Sequence, residues 1–253
     1  MKKIFFALMA IATITIFINA VSKKSKNVSK DEKGFALIEL FTSEGCSSCP
    51  PADEAISDIQ NEYKNENVVA VGFHVDYWDK LGWKDAFSSP DNTVRQEYYS
   101  SIFKLNSIYT PEAVVNGKYE FVGSDKNRIL NTIEEQLKSS PSEIIHLTAT
   151  GNSNGSIEVK FSVDGATLIN DQMVLLLVQK TATTSVKRGE NGGRTLHHTN
   201  IVRKMSITST SSKEGDESFT LPSDLKKENA FIAAFTQNKK TGTVTGVATA
   251  AIN

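Results

Sequence analysis

The sequence predicts an α/β fold with a helical insertion, followed by an all-β antiparallel domain that is sandwich-like. Two patterns favour this fold class. Up to about residue 141, short apolar runs alternate with segments whose apolar residues recur at three- and four-residue spacing. From residue 142 onward, apolar and polar residues alternate and turn dipeptides separate the runs. We therefore expect an α/β domain at 35–141 and a β domain at 142–253.

Spacing and turn residues give the elements of the first domain in order. A helix is predicted over 52–64 because its apolar residues recur on one face, and the two prolines before it suit a first turn. A second helix is predicted to begin at Pro90, with Val94, Tyr98 and Ile102 on one apolar face, which is expected to be buried. The other predicted elements are strands at 36–42, 67–73, 113–115 and 119–122, an Asn116-Gly117 hairpin turn, and a helix capped by Ser124.

The second domain is predicted from alternation and apolar runs. Its expected strands lie at 157–163, 173–178, 231–235 and 244–252. A polar, Gly-rich stretch from Thr181 to Asn200 interrupts them, and its composition is typical of a solvated loop. A β sandwich most often binds or scaffolds, so this domain carries no predicted chemistry of its own.

The N-terminus has the composition of an export signal. Lys2 and Lys3 precede a nearly continuous apolar run over 4–18, and Asn19-Ala20 follows. A signal peptide at 1–20 predicts an exported protein, periplasmic or secreted. The alternative is an uncleaved membrane anchor, because the run approaches the length of a membrane span. Residues 21–34 are charged and aperiodic, which is typical of a linker.

Charge and composition narrow the class of partner. The 253 residues carry 28 basic and 29 acidic side chains. Loss of Lys2 and Lys3 with the leader leaves 26 basic groups against the 29 acidic ones, a net charge of −3. Such a chain gives no indication of a nucleic-acid partner. Its 39% hydrophobic content can form a core without disulfide support, so its cysteines are free for function.

The chain has two cysteines, Cys46 and Cys49, and they stand in a C-x-x-C pair at the predicted start of the first helix. Amide groups at a helix start lower a thiol pKa, which favours Cys46 as the attacking thiolate and Cys49 as the resolving thiol. Three other readings stay open. They are a structural zinc site, which lacks a second cysteine pair, a static disulfide, and two buried inert thiols.

The order strand, helix, strand, insertion, strand, strand, helix resembles the thioredoxin fold over about 35–140. The C-x-x-C pair at the first helix and Thr110-Pro111 before the third strand carry this resemblance. It implies that Pro111 is cis and lies beside the cysteines. It also implies that Thr110 and Pro111 bind substrate, with the Thr110 backbone pairing with it as an added strand. Two positions depart from that pattern: Gly45 replaces the usual tryptophan, and Leu40 stands where a buried acid is usual, beside Glu39.

The amino-acid sequence of several segments resembles a bacterial, exported, thioredoxin-like family known only as a domain of unknown function. Those segments are 39–53, which contains the GCSSCPPAD motif, then 73–78, 81–85 and 188–191 with His197. This resemblance implies a fold and redox chemistry but names no substrate.

Further residues are candidates for an accessory role around the cysteines. Trp78 and Trp83 are predicted to form an apolar rim that binds a partner, with packing inside the insertion as the alternative. His74 and Asp76 share a strand face near the expected site. In the polar stretch the accessory candidates are Arg188, Glu190, Arg194 and His197. His197 and His198 are adjacent, so on a strand they point to opposite faces.

These observations predict an exported thiol-disulfide oxidoreductase that acts on a protein partner with a thiol or a disulfide. Cys46 and Cys49 are its catalytic residues, and no cofactor or metal is expected. One alternative is a copper-binding protein in which the two cysteines and one histidine hold Cu(I). Another is an envelope binding protein whose β domain carries the main role.

Overall fold

An eight-stranded mixed sheet organises the molecule. The computed structural model describes residues 33–165 and 170–253, and the predicted signal peptide and linker residues 21–32 lie outside them. In those residues the strands are β1 Ala36–Thr42, β2 Val68–His74, β3 Glu112–Val115, β4 Tyr119–Val122, β5 Glu143–Gly151, β6 Ser156–Gly165, β7 Asp171–Ser185, β8 Thr195–Ser209, β9 Glu214–Thr220, β10 Ala230–Asn238 and β11 Val244–Ala251. The helices are α1 Pro50–Glu62, α2 Pro90–Phe103 and α3 Lys126–Gln136, with short 3-10 turns at Asp79–Leu81 and Lys227–Asn229.

The predicted fold class is wrong. The large sheet runs in the order β11-β10-β7-β8-β2-β1-β3-β4, so strands from both halves of the chain share it. A second sheet, β5-β6-β9, has three strands. The three described helices have only 13, 14 and 11 residues. The molecule is therefore mostly β, rather than a thioredoxin-like α/β fold with a helical insertion and a separate all-β domain after it.

The junction between the two halves lies at β2 and β8. These strands run parallel and meet at Gly72 and Ile201. Asn200 reinforces the junction, since its side-chain amide donates to the Ala70 carbonyl at 2.9 Å and to Gln60 at 3.0 Å. Periodicity reports the burial of a strand face but not the identity of its neighbour, so this pairing of distant segments had no local signal.

Many predicted elements are confirmed at the local level. β1 has the predicted bounds, α1 begins at Pro50, and α2 begins at Pro90 with Ser89 as its cap. The buried face of α2 was predicted wrongly, because Val94 is 61% exposed. That helix instead buries Asn92, Arg95, Gln96 and Tyr99. It packs by a polar face because Arg95 meets a buried carboxylate, Glu39 on β1.

Three apolar clusters hold these layers together. One cluster packs α1 and α3 against one face of β1 to β4. A second lies between the small sheet and the strands β7 and β10. The third joins α2 and the other face of β1 and β2 to side chains such as Val174 and Phe235 from the second half. Both halves of the chain therefore contribute to one continuous core.

The stretch Thr181–Asn200 is not a single loop. β7 extends to Ser185 and β8 begins at Thr195, so only residues 186–194 connect them as a loop. Cross-strand pairing from Thr181 with Thr199 to Ser185 with Thr195 makes the rest of the stretch a long hairpin. Polar side chains are compatible with strands where one face meets solvent, which is why composition alone misassigned this segment.

Candidate active site

Cys46 and Cys49 form a disulfide in the segment that connects β1 to α1. Their Cα atoms are 5.4 Å apart, and Cys49 is the N-cap residue of α1. Both cysteines have 0% exposure, whereas Ser47 and Ser48 between them are exposed. The pair thus lies just beneath the surface, with its connecting turn in solvent.

The start of α1 offers no free amide to a thiolate. Of the first four helical residues, Pro50 and Pro51 lack an N–H, and the N–H groups of Ala52 and Asp53 donate to the Cys49 carbonyl at 2.8 and 3.1 Å. The expectation that free helix amides lower the Cys46 pKa is therefore wrong in its detail. The helix dipole remains available, and the Ser48 hydroxyl lies 3.3 Å from the Cys46 sulfur.

Thr110 and Pro111 lie beside the cysteines. The peptide bond between them is cis, which confirms the expectation drawn from the family resemblance. The Thr110 carbonyl oxygen lies 3.9 Å from the Cys46 sulfur. The Trp78 indole N–H donates to the Thr110 hydroxyl at 2.8 Å, so Trp78 is attached to this segment.

Gly45 leaves room for Trp78. A Cβ atom built on Gly45 would lie 3.2 Å from the Cβ of Trp78, closer than most real contacts of this kind. A side chain at residue 45 would therefore require the Cβ of Trp78 to shift by a few tenths of an ångström.

The 186–194 loop folds back onto the cysteine segment. The side-chain amide of Asn191, which is fully buried, donates to the carbonyl oxygens of Glu44 and Cys46, both at 2.9 Å. The exposed Glu190 carboxylate accepts the N–H of Ser47 at 3.0 Å. Hydrogen bonds from the side chain and the backbone of Ser47 lower the pKa of Glu190, and the side-chain bond contributes most. Two side chains of this loop thus hold the cysteine turn in place.

A buried cluster of acids and imidazoles lies behind the cysteine segment. The His74 Nδ1 atom is 2.7 Å from Asp85 Oδ2, and both side chains are fully enclosed. That same oxygen accepts the N–H of Glu44 at 2.8 Å. The Glu44 carboxylate accepts the Trp83 indole N–H at 2.7 Å. These hydrogen bonds therefore connect β2 and the insertion to Glu44, which is two residues before Cys46.

His74 and Asp85 form a buried ion pair. Burial lowers the pKa of His74, but attraction to Asp85, their hydrogen bond, and the charges of Asp53 and Glu44 outweigh it, so the net pKa is raised. Burial raises the pKa of Asp85, but His74 and the backbone N–H donors outweigh it, and the net pKa is lowered. Both shifts favour the charged forms, so His74 contributes a positive charge to the cluster.

His198 on β8 lies between two carboxylates. Its Nε2 is 3.3 Å from Glu44 Oε1, and its Nδ1 is 3.9 Å from Asp53 Oδ2. Neither contact is aligned as a hydrogen bond, so among the described residues both ring nitrogens lack a hydrogen-bond partner. The rings of His198 and His74 meet edge to face with centroids 4.8 Å apart.

Asp53 occupies the solvent side of this cluster. Its Oδ2 accepts the Thr42 hydroxyl at 3.3 Å, and its side chain is 10% exposed. Burial raises the pKa of Asp53, while attraction to His198 and His74 and the bond from Thr42 offset part of that effect. The net result is a carboxyl group that holds its proton more tightly than usual.

The structure brings some predicted site residues together and separates others. Thr110, Trp78, Glu190 and His74 belong to the contacts described above. Asp76 instead accepts the hydroxyl of Thr93 on α2 at 2.6 Å. Three candidates of the polar stretch have other surroundings: Arg188 is exposed, Arg194 donates to Asn191 at 2.8 Å, and His197 is exposed and 3.1 Å from the Thr183 hydroxyl.

Several residues of the cluster were not predicted as site residues: Glu44, Asp53, Asp85, Asn191 and His198. All of them except His198 stand inside the segments that carried the family resemblance, and this was the signal that could have found them. His198 enters the cluster in place of His197, because strand alternation turns one of the two inward and the other to solvent.

The described residues contain neither a metal-binding group of side chains nor a membrane-spanning helix. In 33–165 and 170–253, no group of three or more His, Cys, Asp or Glu side chains has a geometry that could hold a metal ion. Within the same residues, no helix has both the length and the apolar character needed to cross a membrane.

Fold and site together define a predominantly β protein in which a buried cysteine pair lies over a cluster of carboxylates and imidazoles. The chain belongs to the DUF1223 family, described as a protein of unknown function, and the family model matches residues 37–237. This confirms the expected membership of a family of unknown function.

One similar solved structure covers most of the chain. It is the crystal structure of a protein from Agrobacterium tumefaciens, with 25% identity and a TM-score of 0.65, and the match covers 88% of this chain and 96% of that one. A domain of the outer membrane lipoprotein Omp28 from Porphyromonas gingivalis is 16% identical over 45% of this chain and 89% of that one. The TM-score of this second match is 0.29. The comparison with curated proteins gave no match.

Proposed function

We propose that this protein is an exported thiol-disulfide oxidoreductase that uses Cys46 and Cys49. The observation that carries the proposal is their disulfide, set beside the Thr110 carbonyl and over a buried cluster of titratable groups. Titratable groups gathered around a cysteine pair are typical of sites that exchange protons with sulfur. Export is proposed because the sequence begins with an apolar leader. An exported location is compatible with the disulfide, since such bonds persist outside the cytoplasm.

A purely structural role explains this disulfide less well. The two cysteines are three residues apart, so the bond closes a very short loop and restricts the unfolded chain little. The large apolar clusters hold the fold without it. A reversible bond between the same two sulfurs gives the pair a chemical purpose that stabilisation does not.

The proposed reaction is exchange with a partner protein. A partner thiolate attacks the Cys46 sulfur, the Cys46–Cys49 bond breaks, and Cys49 leaves as a thiolate. In the reverse direction the Cys49 thiolate attacks the mixed disulfide and releases the partner. In the thioredoxin-like chemistry that the sequence resembles, the Thr110 backbone and Pro111 bind the extended partner segment, with Trp78 beside them. The copper-binding and envelope-binding alternatives stay predictions.

Burial of the sulfurs implies a gated exchange. Both cysteines are enclosed in the described structure, while the 186–194 loop and Trp78 pack around their segment. A partner sulfur therefore reaches Cys46 only after part of this covering moves. Exchange with a large partner is expected to be limited by that opening.

The proposal is tested by trapping the mixed disulfide. Cys49→Ser should accumulate a covalent adduct with disulfide-bonded insulin, because its Cys46 thiolate breaks an insulin disulfide and the resolving thiol is absent, whereas Cys46→Ser should accumulate none. Asn61→Ala, which changes an exposed residue of α1 away from the cysteine turn, should react like the wild type. Adducts are counted by non-reducing electrophoresis and mass spectrometry. If the wild type neither reduces nor oxidises any substrate and neither cysteine variant forms an adduct, the oxidoreductase proposal is wrong.

A further inference from the structure

Reduction of a buried disulfide needs protons as well as electrons. A partner dithiol gives two electrons to the Cys46–Cys49 bond and becomes a disulfide, and each released sulfur of this protein then takes one proton. Because Cys46 and Cys49 are fully enclosed, bulk water does not reach their sulfurs directly. A proton-carrying side chain that reaches solvent on one side and approaches the cysteine segment on the other would remove this obstacle.

Asp53 has this position. It lines an open cavity of about 320 Å³ between α1 and the start of β8, which is also lined by Pro50, Glu54 and His197. Its backbone N–H donates to the Cys49 carbonyl at 3.1 Å. Residues four apart share a helix face, so the Asp53 side chain lies on the same side of α1 as Cys49.

We propose that Asp53 supplies and removes the proton of the Cys49 sulfur, with His198 as its positioning residue. This inference rests on the proposed function. During reduction, the partner thiolate binds Cys46, the disulfide breaks, and protonated Asp53 gives its proton to the departing Cys49 thiolate. Water in the cavity then restores the Asp53 proton. During oxidation, the Asp53 carboxylate takes the Cys49 proton as Cys49 attacks the mixed disulfide.

The surroundings of Asp53 set its protonation from several elements. Thr42 on β1 donates to its inner oxygen, and the His198 ring on β8 approaches that oxygen to 3.9 Å. The charged and titratable groups that face Asp53 and His198 are Glu44, Glu54, His74, Asp85, Arg194 and His197. Burial raises the pKa of Asp53 and the nearby imidazoles bring it partly back, which suits a group that both gives and takes a proton.

The test compares pH profiles in the whole protein. The rate of disulfide reduction by dithiothreitol is measured from pH 5 to 9 and divided by the thiolate fraction of the reductant. In the wild type this corrected rate should fall as pH rises through the pKa of Asp53. Asp53→Asn should lose that fall and react at least tenfold more slowly at low pH. Glu62→Gln, which changes an exposed carboxylate at the far end of α1, outside the cavity, should keep the wild-type profile.

A second variant separates proton transfer from a structural role. His198 lowers the pKa of Asp53, so His198→Gln should move the fall in rate to higher pH without removing it. If Asp53→Asn does not fold, this shift in the pH of the fall tests whether Asp53 transfers the proton. A wild type that exchanges with dithiols but shows no such fall, or an Asp53→Asn profile equal to that of the wild type, overturns the inference alone. A wild-type disulfide that no dithiol reduces overturns the proposed function as well.

Discussion

At the scale of single residues, buried carboxylates are a prominent feature of this protein. Glu39, Glu44, Glu112 and Asp85 are each almost fully enclosed, which is uncommon for ionisable side chains. Each has a different solution to the cost of burial. Glu39 pairs with an arginine, Asp85 pairs with an imidazole, and Glu44 accepts an indole N–H. Among the described residues, Glu112 by contrast accepts only the side-chain amide of Gln96, at 2.6 Å. The protonation of Glu112 should therefore depend most directly on pH.

Glu112→Gln should make the protein more stable at neutral pH. Burial raises the pKa of Glu112 from 4.5 to about 7, with the bond from Gln96 offsetting part of the effect. The folded chain therefore holds this proton more tightly than the unfolded chain, and its contribution to stability is lost as pH rises from about 4.5 to about 7. Across that range the loss is about 3 kcal/mol, which the neutral glutamine avoids.

Urea unfolding midpoints of wild type and variant, measured between pH 4 and pH 8, test this prediction. Their difference should grow through the range and level off above it. Glu97→Gln changes an exposed carboxylate on α2, the helix that carries Gln96; it is the matched control and should follow the wild type. Parallel curves for wild type and Glu112→Gln would contradict the prediction, because they would mean that the pKa of Glu112 is the same in the folded and the unfolded chain.

At the scale of elements, the 186–194 loop connects the long β7–β8 hairpin to the cysteine turn. Its contacts are specific to the side chains of Glu190 and Asn191. Gly189 has a positive φ of 74°, and a Cβ there would lie 3.1 Å from the Cβ of Trp83. The loop therefore packs closely against the insertion, and its backbone shape depends on a glycine at this position.

Asn191→Ala should expose the disulfide more often. The change removes the Asn191 donor from the carbonyl oxygens of Glu44 and Cys46, although the Cys46 oxygen still accepts the Cys49 N–H at 3.2 Å, and a lost hydrogen bond to a buried group costs about 1 to 3 kcal/mol. If opening of the loop becomes easier by about 1 kcal/mol, reduction by dithiothreitol should accelerate roughly fivefold. The rate is followed by thiol alkylation and mass spectrometry. Lys187→Ala, at an exposed position of the same loop, should leave it unchanged, and equal rates for all three proteins would mean that the loop does not gate access.

At the scale of the whole molecule, one buried ion pair ties the two halves of the chain together. Arg95 on α2 donates to Glu39 on β1, and its guanidinium lies 5.1 Å from the centroid of the Phe235 ring on β10. The Tyr99 hydroxyl contacts Glu39 and also accepts a hydrogen bond from Gln237 at 2.8 Å. Strands that are far apart in sequence therefore depend on the same charged group.

Arg95→Met should destabilise the protein by about 3 to 5 kcal/mol, because it leaves the Glu39 carboxylate buried and unpaired. Adding Glu39→Gln should recover much of that loss, since the unpaired charge is then removed. Lys126→Met breaks an exposed ion pair with Asp58 and should cost at most about 1 kcal/mol. Free energies of unfolding from urea titrations measure all four proteins. A double variant as unstable as Arg95→Met alone would contradict the charge argument.

Local pattern was sufficient for the elements but not for their arrangement. The helix start at Pro90 and the Asn116-Gly117 turn follow from neighbouring residues and were predicted correctly, and the first helix begins at Pro50, within two residues of its predicted start. The polar face of α2 was not, because nothing near Arg95 in the sequence reveals a buried carboxylate on β1. The role of His198 could not be predicted from neighbouring residues either, since it depends on which face of β8 meets α1.

By itself the sequence determined the cysteine pair, the proline that follows Thr110, and the positions of most strands and helices, because these depend on short-range spacing and backbone preference. Tertiary structure alone decided that β8 joins β2, and this joining gathers His198 and Asn191 of the second half around Cys46 and Asp53 of the first. The physical reason is that strand pairing and charge burial depend on neighbours in space, which periodicity along the chain does not encode.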